Sequence, residues 1–275
     1  LVTFLTSSMP DKVLAKAEPM YLSKSAEELP DTAIEAVRKE TLRLYDNAFA
    51  IIAHGLSLHR HDILSDKDLG VVVREGKKVI PIDFDAEYNQ SIKGLYGEII
   101  NFISRSQSIM TSNQTDELFK LRAAGRDIVE AIKDTKHMHK NLAQYILSDN
   151  EFIRAEYNKI RKQLGNLMRR LATISESGDD PEMILSIDNL KMYMEENDIT
   201  VNGVLENLIR DKKITAEMAT SLMNDSSYAY DVAKNLIQMG ETLFATGDYD
   251  MKLAERSIAL TDEEVSEILN ETGNQ

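Results

Sequence analysis

Apolar residues recur along this chain at the three-to-four-residue spacing of helices and only once at a spacing that suits strands. From Leu29-Pro30-Asp31-Thr32, with proline in the first turn, the series Ile34, Val37, Thr41, Leu44, Ala48, Ile51 and Ile52 predicts a helix to about Leu58. Further helices are predicted near 85–106, 115–147, 150–174, 181–195, 201–210 and 215–245, with a last acidic segment at 261–269. The exception is the run 71–80, where Val71, Val72, Val73, Val79 and Ile80 flank Gly76 and predict a single β-hairpin. Long helices joined by short loops predict an all-α fold of antiparallel bundles.

The breaks suggest an organisation. Pro10, Pro19 and a Ser/Lys/Glu mixture make 1–28 a linker. The clearest internal break, Ser175 to Pro181, separates a region 29–175 from 176–275. The first holds a helical bundle, the hairpin and the start of a second bundle near 150. The second holds the remainder of that bundle and an acidic C-terminal tail. Tyr45-Asp46-x-Ala48 with Ile52 and Gly55 recurs as Tyr230-Asp231-x-Ala233 with Ile237 and Gly240, at an offset of 185. This echo is compatible with a repeated architecture and equally with two amphipathic helices of similar composition.

Composition narrows the function. A net charge of −14 and a pI near 4.9 disfavour nucleic acid and anionic membrane surfaces, both of which require a positive footprint. The absence of cysteine excludes disulfides and thiolate metal sites. No Gly-x-Ser-x-Gly, His-Glu-x-x-His, Walker loop or dinucleotide fingerprint occurs, so no enzyme activity is expected. No apolar run is long enough to cross a bilayer. The chain opens on Leu1, as expected of a piece of something longer.

Candidate chemistry lies on the helix predicted at 115–147. Glu130, Asp134 and His137 fall on one stripe, extended by Asp127 and Asn141, beside the apolar arc of Leu121, Ile128, Ile132, Leu142 and Ile146. Carboxylates and an imidazole at the border of a buried face can ligate a cation if a neighbouring helix adds donors. The same spacing also suits surface ion pairs of Glu130 with Arg126 and Lys133. His54 shares a stripe with Glu40 and Asn47, and reads as a ligand or a hydrogen-bonded bundle-edge residue. His59 and His61 read as solvated. Lys159, Lys162 and Arg169 form a basic row that could meet a phosphate, a lipid headgroup or an acidic partner, or simply face solvent.

Glu130-Ala-Ile-Lys-Asp134 resembles the Glu-x-x-x-Asp motif of the PhoU family, helical proteins of phosphate signalling. Tyr96-Gly-Glu98-Ile-Ile is similar to that family's middle helix with its inward carboxylate, and Asp231-Val-Ala-Lys-Asn235 to its Asp-x-Ala-x-Asn sequence. Ser227 stands where the family has Glu. Pro30-Asp-Thr-Ala33, Arg38-Lys-Glu-Thr-Leu42, Tyr45-Asp-Asn-Ala48, Ala53-His-Gly-Leu56 and the stretch from Asp134 to Asn150 resemble the cytoplasmic tail of bacterial sodium/phosphate cotransporter-family proteins.

The resemblance implies two tandem three-helix bundles and a transition metal, iron or zinc, held by Glu98, Glu130, Asp134 and Asp231, with the second bundle the weaker binder. It implies a non-enzymatic regulatory domain that docks on the transmembrane transporter domain of the same polypeptide. That docking would occur on the cytoplasmic side of the bacterial inner membrane, with self-association into a homo-oligomer left open. The competing expectation is a free-standing helical adaptor without metal.

Overall fold

Local chemistry sets several of the helix starts. The computed structural model describes residues 18–76, 78–177, 189–190 and 203–244, and every regular element among them is a helix. They are α1 (Lys24–Glu27), α2 (Pro30–Gly55), α3 (Arg60–Leu64), α4 (Leu69–Glu75), α5 (Phe84–Ser91), α6 (Lys93–Ser106), α7 (Ser112–Tyr145), α8 (Glu151–Ser177), α9 (Val204–Arg210) and α10 (Ala216–Phe244). Proline at the start of α2 removes one unpaired first-turn donor, and the Thr111–Gln114 capping box of α7 and the Asn150 side chain before α8 satisfy first-turn amides.

Of the expected segments, 1–17 and 261–269 lie outside the described residues, as does 181–195 except for Asn189 and Leu190. Within 18–28, expected as linker, the structure holds α1, capped by the Ser23 hydroxyl.

Helix direction follows from paired contacts. Asp31 meets Gln114, Arg38 meets Glu117, and Gly55 meets Thr135 and His139, so α2 and α7 run parallel. Glu27, just before α2, meets Arg105 at the end of α6, and Asn47, late in α2, meets the carbonyl of Ser91, just before α6; α2 and α6 are in contact, so α6 runs against α2. Tyr145 packs on Tyr157 across the turn between α7 and α8, with ring centroids 5.0 Å apart. Tyr157 meets Asp225 and Leu171 meets Gly240, so α8 and α10 are parallel. One buried cluster of apolar residues runs from Ala26 to Phe244 and joins these helices.

The approach of α2 to α7 depends on Gly55, since a Cβ there would collide with the Thr135 methyl and the Phe84 ring. Beyond it, Ser57 takes the left-handed conformation (φ 52°). The Ser57 N–H donates to the His54 carbonyl and the Leu58 N–H to the Ala53 carbonyl, a paired closure of the helix end. That reversal sends the chain from α2 into α3.

The hairpin expected at 71–80 is corrected by α4. The Asp68 carboxylate caps the Gly70 amide, and Leu69 and Val73, four residues apart, are buried where α4 packs on α8. Residues 78–83 are not strand, so nothing pairs with the valines. A three-valine run has strand propensity, but a helix that buries Leu69 and Val73 on α8 outweighs it.

Candidate functional site: the seam between α7 and α10

The polar stripe read from the sequence faces α10, which crosses it antiparallel. Moving along α7, Asp127 lies near Lys234, Asp134 near Asp231 and Asn235, His137 against Tyr228, and Asn141 against Asp225. The neighbouring helix that the stripe requires is therefore present, and it brings both carboxylate and amide groups.

Asp134 is the electrostatic centre of the seam. Its Oδ2 accepts from Asn235 Nδ2 at 3.4 Å. Partial burial raises its carboxyl, the charges of Asp231 and Glu130 raise it further, and the result is about 6. His137 and Lys133 pull it down without cancelling that effect. The His137 ring stacks on Tyr228 with centroids 5.1 Å apart. Burial also raises Asp127, against the opposing pull of Arg126.

The four expected ligands do not gather. Glu130 is drawn to Lys133 Nζ at 2.7 Å, the surface ion pair that the spacing equally allowed. Asp231 is exposed beside Asp134, and Glu98 is exposed on α6. Among the described residues no group of three or more His, Cys, Asp or Glu could hold a metal ion. Glu130 also lies near Asp134 but is engaged by Lys133, which leaves Asp134, Asp231 and the Asn235 amide as donors, short of a structural metal site. The donors therefore do not fit the implied metal.

Three features escape a reading by sequence. Arg161, fully buried on α8, donates through Nε to the Leu56 carbonyl (2.8 Å), through Nη2 to Ser57 O (2.9 Å), and through Nη1 to Val73 O (3.1 Å) and Asn158 Oδ1 (2.8 Å). Burial lowers its pKa to about 10. Arg169 of the expected basic row turns inward likewise, to the carbonyls of Ile63, Asp62 and Lys67. The available signal was a cation on the face of Ile153, Tyr157, Ile160, Leu164 and Met168, where an arginine must bring its partners with it.

The second is a buried polar group where α7, α8 and α10 meet. Tyr157 Oη donates to Asp225 Oδ2 at 2.5 Å, and Asn141 also bonds that carboxylate. Burial raises Asp225 while these donors hold it back, and burial beside Asp225 pushes the Tyr157 phenol up. The third is a histidine contact: the rings of His54 and His59 lie 5.8 Å apart, and His59 stacks on His61 at 5.2 Å. The reversal after α2 makes this meeting, and no local pattern announces it.

Among the described residues no helix is long and apolar enough to cross a membrane. Comparison with protein-family models, with curated proteins and with solved structures finds no match.

Proposed function

We propose that this chain is a non-enzymatic, PhoU-like regulatory domain that modulates a sodium-dependent phosphate transporter by docking on its membrane part from the cytoplasmic side. The observation that carries the reading is helix direction. Two successive up-down-up units make the first and third helix of each parallel. The pair α2 and α7, with α6 running against α2, has that relation, and so has the pair α8 and α10.

A second support is the position of the motifs. Asp134, which closes the Glu-x-x-x-Asp stretch, faces Asp231 and Asn235 of the other stretch that carries the resemblance. Two carboxylates held close at a helix seam repel, so the seam has an electrostatic reason to prefer one packing when charged and another when neutralised. The reading needs no metal. Coupling to transport would come from differential docking to two transporter states, on the order of 1–3 kcal/mol for an allosteric contact.

The test is phosphate uptake by the parent polypeptide with and without residues 29–275, at matched expression. A changed rate or changed dependence on phosphate supports the proposal. Identical kinetics in both overturn it and leave a helical adaptor.

A further inference from the structure

Glu40 is a fully buried carboxylate on α2 whose partners come mainly from the chain that precedes the helices. Its Oε2 accepts the backbone N–H groups of Met20 and Tyr21, each at 2.8 Å. Its Oε1 accepts Arg43 Nη1 at 2.8 Å, and the same Nη1 donates to the Glu18 carbonyl at 2.5 Å. One acid and one cation, three residues apart on one helix face, thus take up three main-chain groups within residues 18–21.

The side chains there contribute little. Met20 is 68% exposed and Tyr21 41% exposed, so the segment is gripped by its backbone. Leu22 rests on the core edge, and Ser23 begins the cap of α1. A buried charge is tolerable only while its hydrogen bonds are made, so grip and burial depend on each other.

We infer that Glu40 and Arg43 form a main-chain clamp that ties the incoming segment 18–21 to α2 as a releasable latch. The latch makes a displacement of that segment felt by α2. α2 in turn meets α7 through Gly55, Thr135 and His139, beside Asp134 and the seam. The segment and the seam are then coupled through one helix. This role as transmission rests on the proposed function, whereas the clamp itself does not.

Hydrogen exchange at single amides tests the clamp in the full chain. Glu40→Met keeps the buried volume and removes both acceptors, and Arg43→Met removes the cation and leaves the carboxylate. In Glu40→Met the amides of Met20 and Tyr21 should exchange roughly ten- to hundredfold faster, the loss expected for charge-assisted bonds. Protection in α7 and α10 should stay unchanged. Arg43→Met should give a smaller acceleration at the same two amides. Unchanged protection at Met20 and Tyr21 in both variants overturns the clamp, as does their exchanging freely in the unaltered chain.

Phosphate uptake then separates the two readings. If removing residues 29–275 alters uptake, Glu40→Met in the parent should reproduce part of that change, and failure to do so overturns the transmission role. If removal alters nothing, the regulatory reading fails with it, and the clamp stands or falls on exchange alone.

Discussion

Arg161 and Asp134 are both ionisable groups drawn toward the interior, and the fold treats them in opposite ways. Arg161 is the more deeply buried, yet three backbone carbonyls and an amide oxygen meet its guanidinium. Asp134 is only half-buried, yet it faces two other carboxylates and a single long bond from Asn235. Depth of burial therefore does not rank their effects on stability; completeness of partners does. One group ties α8 to the reversal after α2 and to α4. The other leaves the α7–α10 seam under repulsion that a proton can relieve.

Breaking the satisfied side should cost most. Arg161→Ala strands the carbonyls of Leu56, Ser57 and Val73, and urea denaturation should show a loss of about 3–4 kcal/mol. Arg161→Lys should recover only part, because an ammonium cannot reproduce the planar fork. A loss below about 1 kcal/mol for the alanine variant would contradict the role assigned to that cation.

Next in size is the buried phenol. Tyr157→Phe leaves the Asp225 carboxylate without its shortest donor, and the expected loss is about 1–3 kcal/mol. The loss should shrink as pH falls, since burial already raises the Asp225 carboxyl and a protonated acid needs the donor less. Denaturation midpoints at pH 5 and pH 8 check this.

The strained side should respond with the opposite sign. Folding raises Asp134 from 3.8 to about 6, so protonation favours the folded chain. The stability cost of the charged carboxylate, from burial first and repulsion second, is absent below about pH 3.8, grows between there and about 6, and is complete above that. Asp134→Asn should stabilise the protein by about 1 kcal/mol at pH 8, after allowance for solvent screening of a half-exposed group. The gain should vanish toward pH 4, and a destabilised variant at pH 8 would show that the seam is not under strain.

The smallest expected effect tests α4, which supplies one of the carbonyls to Arg161. Val71→Lys should change stability by less than about 0.5 kcal/mol, because Val71 is exposed on the helix. In a strand Val71 would share a face with Val73, which is buried, and the same substitution would then be costly.

Much of this was legible before any coordinates. Pro30 marks the start of α2 by local chemistry, which is what a sequence states directly; the Thr111 capping box of α7 and the Asn150 cap of α8 are equally local signals, and only the structure drew attention to them. The α7 stripe was legible for the same reason, since helical periodicity alone puts Asp127, Glu130, Asp134, His137 and Asn141 beside the core. Local reasoning failed at 71–80, where β-branched residues suggested strands. The outcome depended on α8 offering a surface to Leu69 and Val73.

The sequence by itself determined the helical class, the positions of the long helices and which arc of each is apolar, because these depend on residues within a turn or two of one another. The tertiary structure decided the partners. It placed α10 opposite Asp134, surrounded Arg161 with carbonyls from the turn after α2 and from α4, stacked His59 on His61, and ran residues 18–21 over Glu40. These meetings join residues far apart in the chain or at reversals such as Ser57, and their energies arise only once the segments are packed, so no local pattern encodes them.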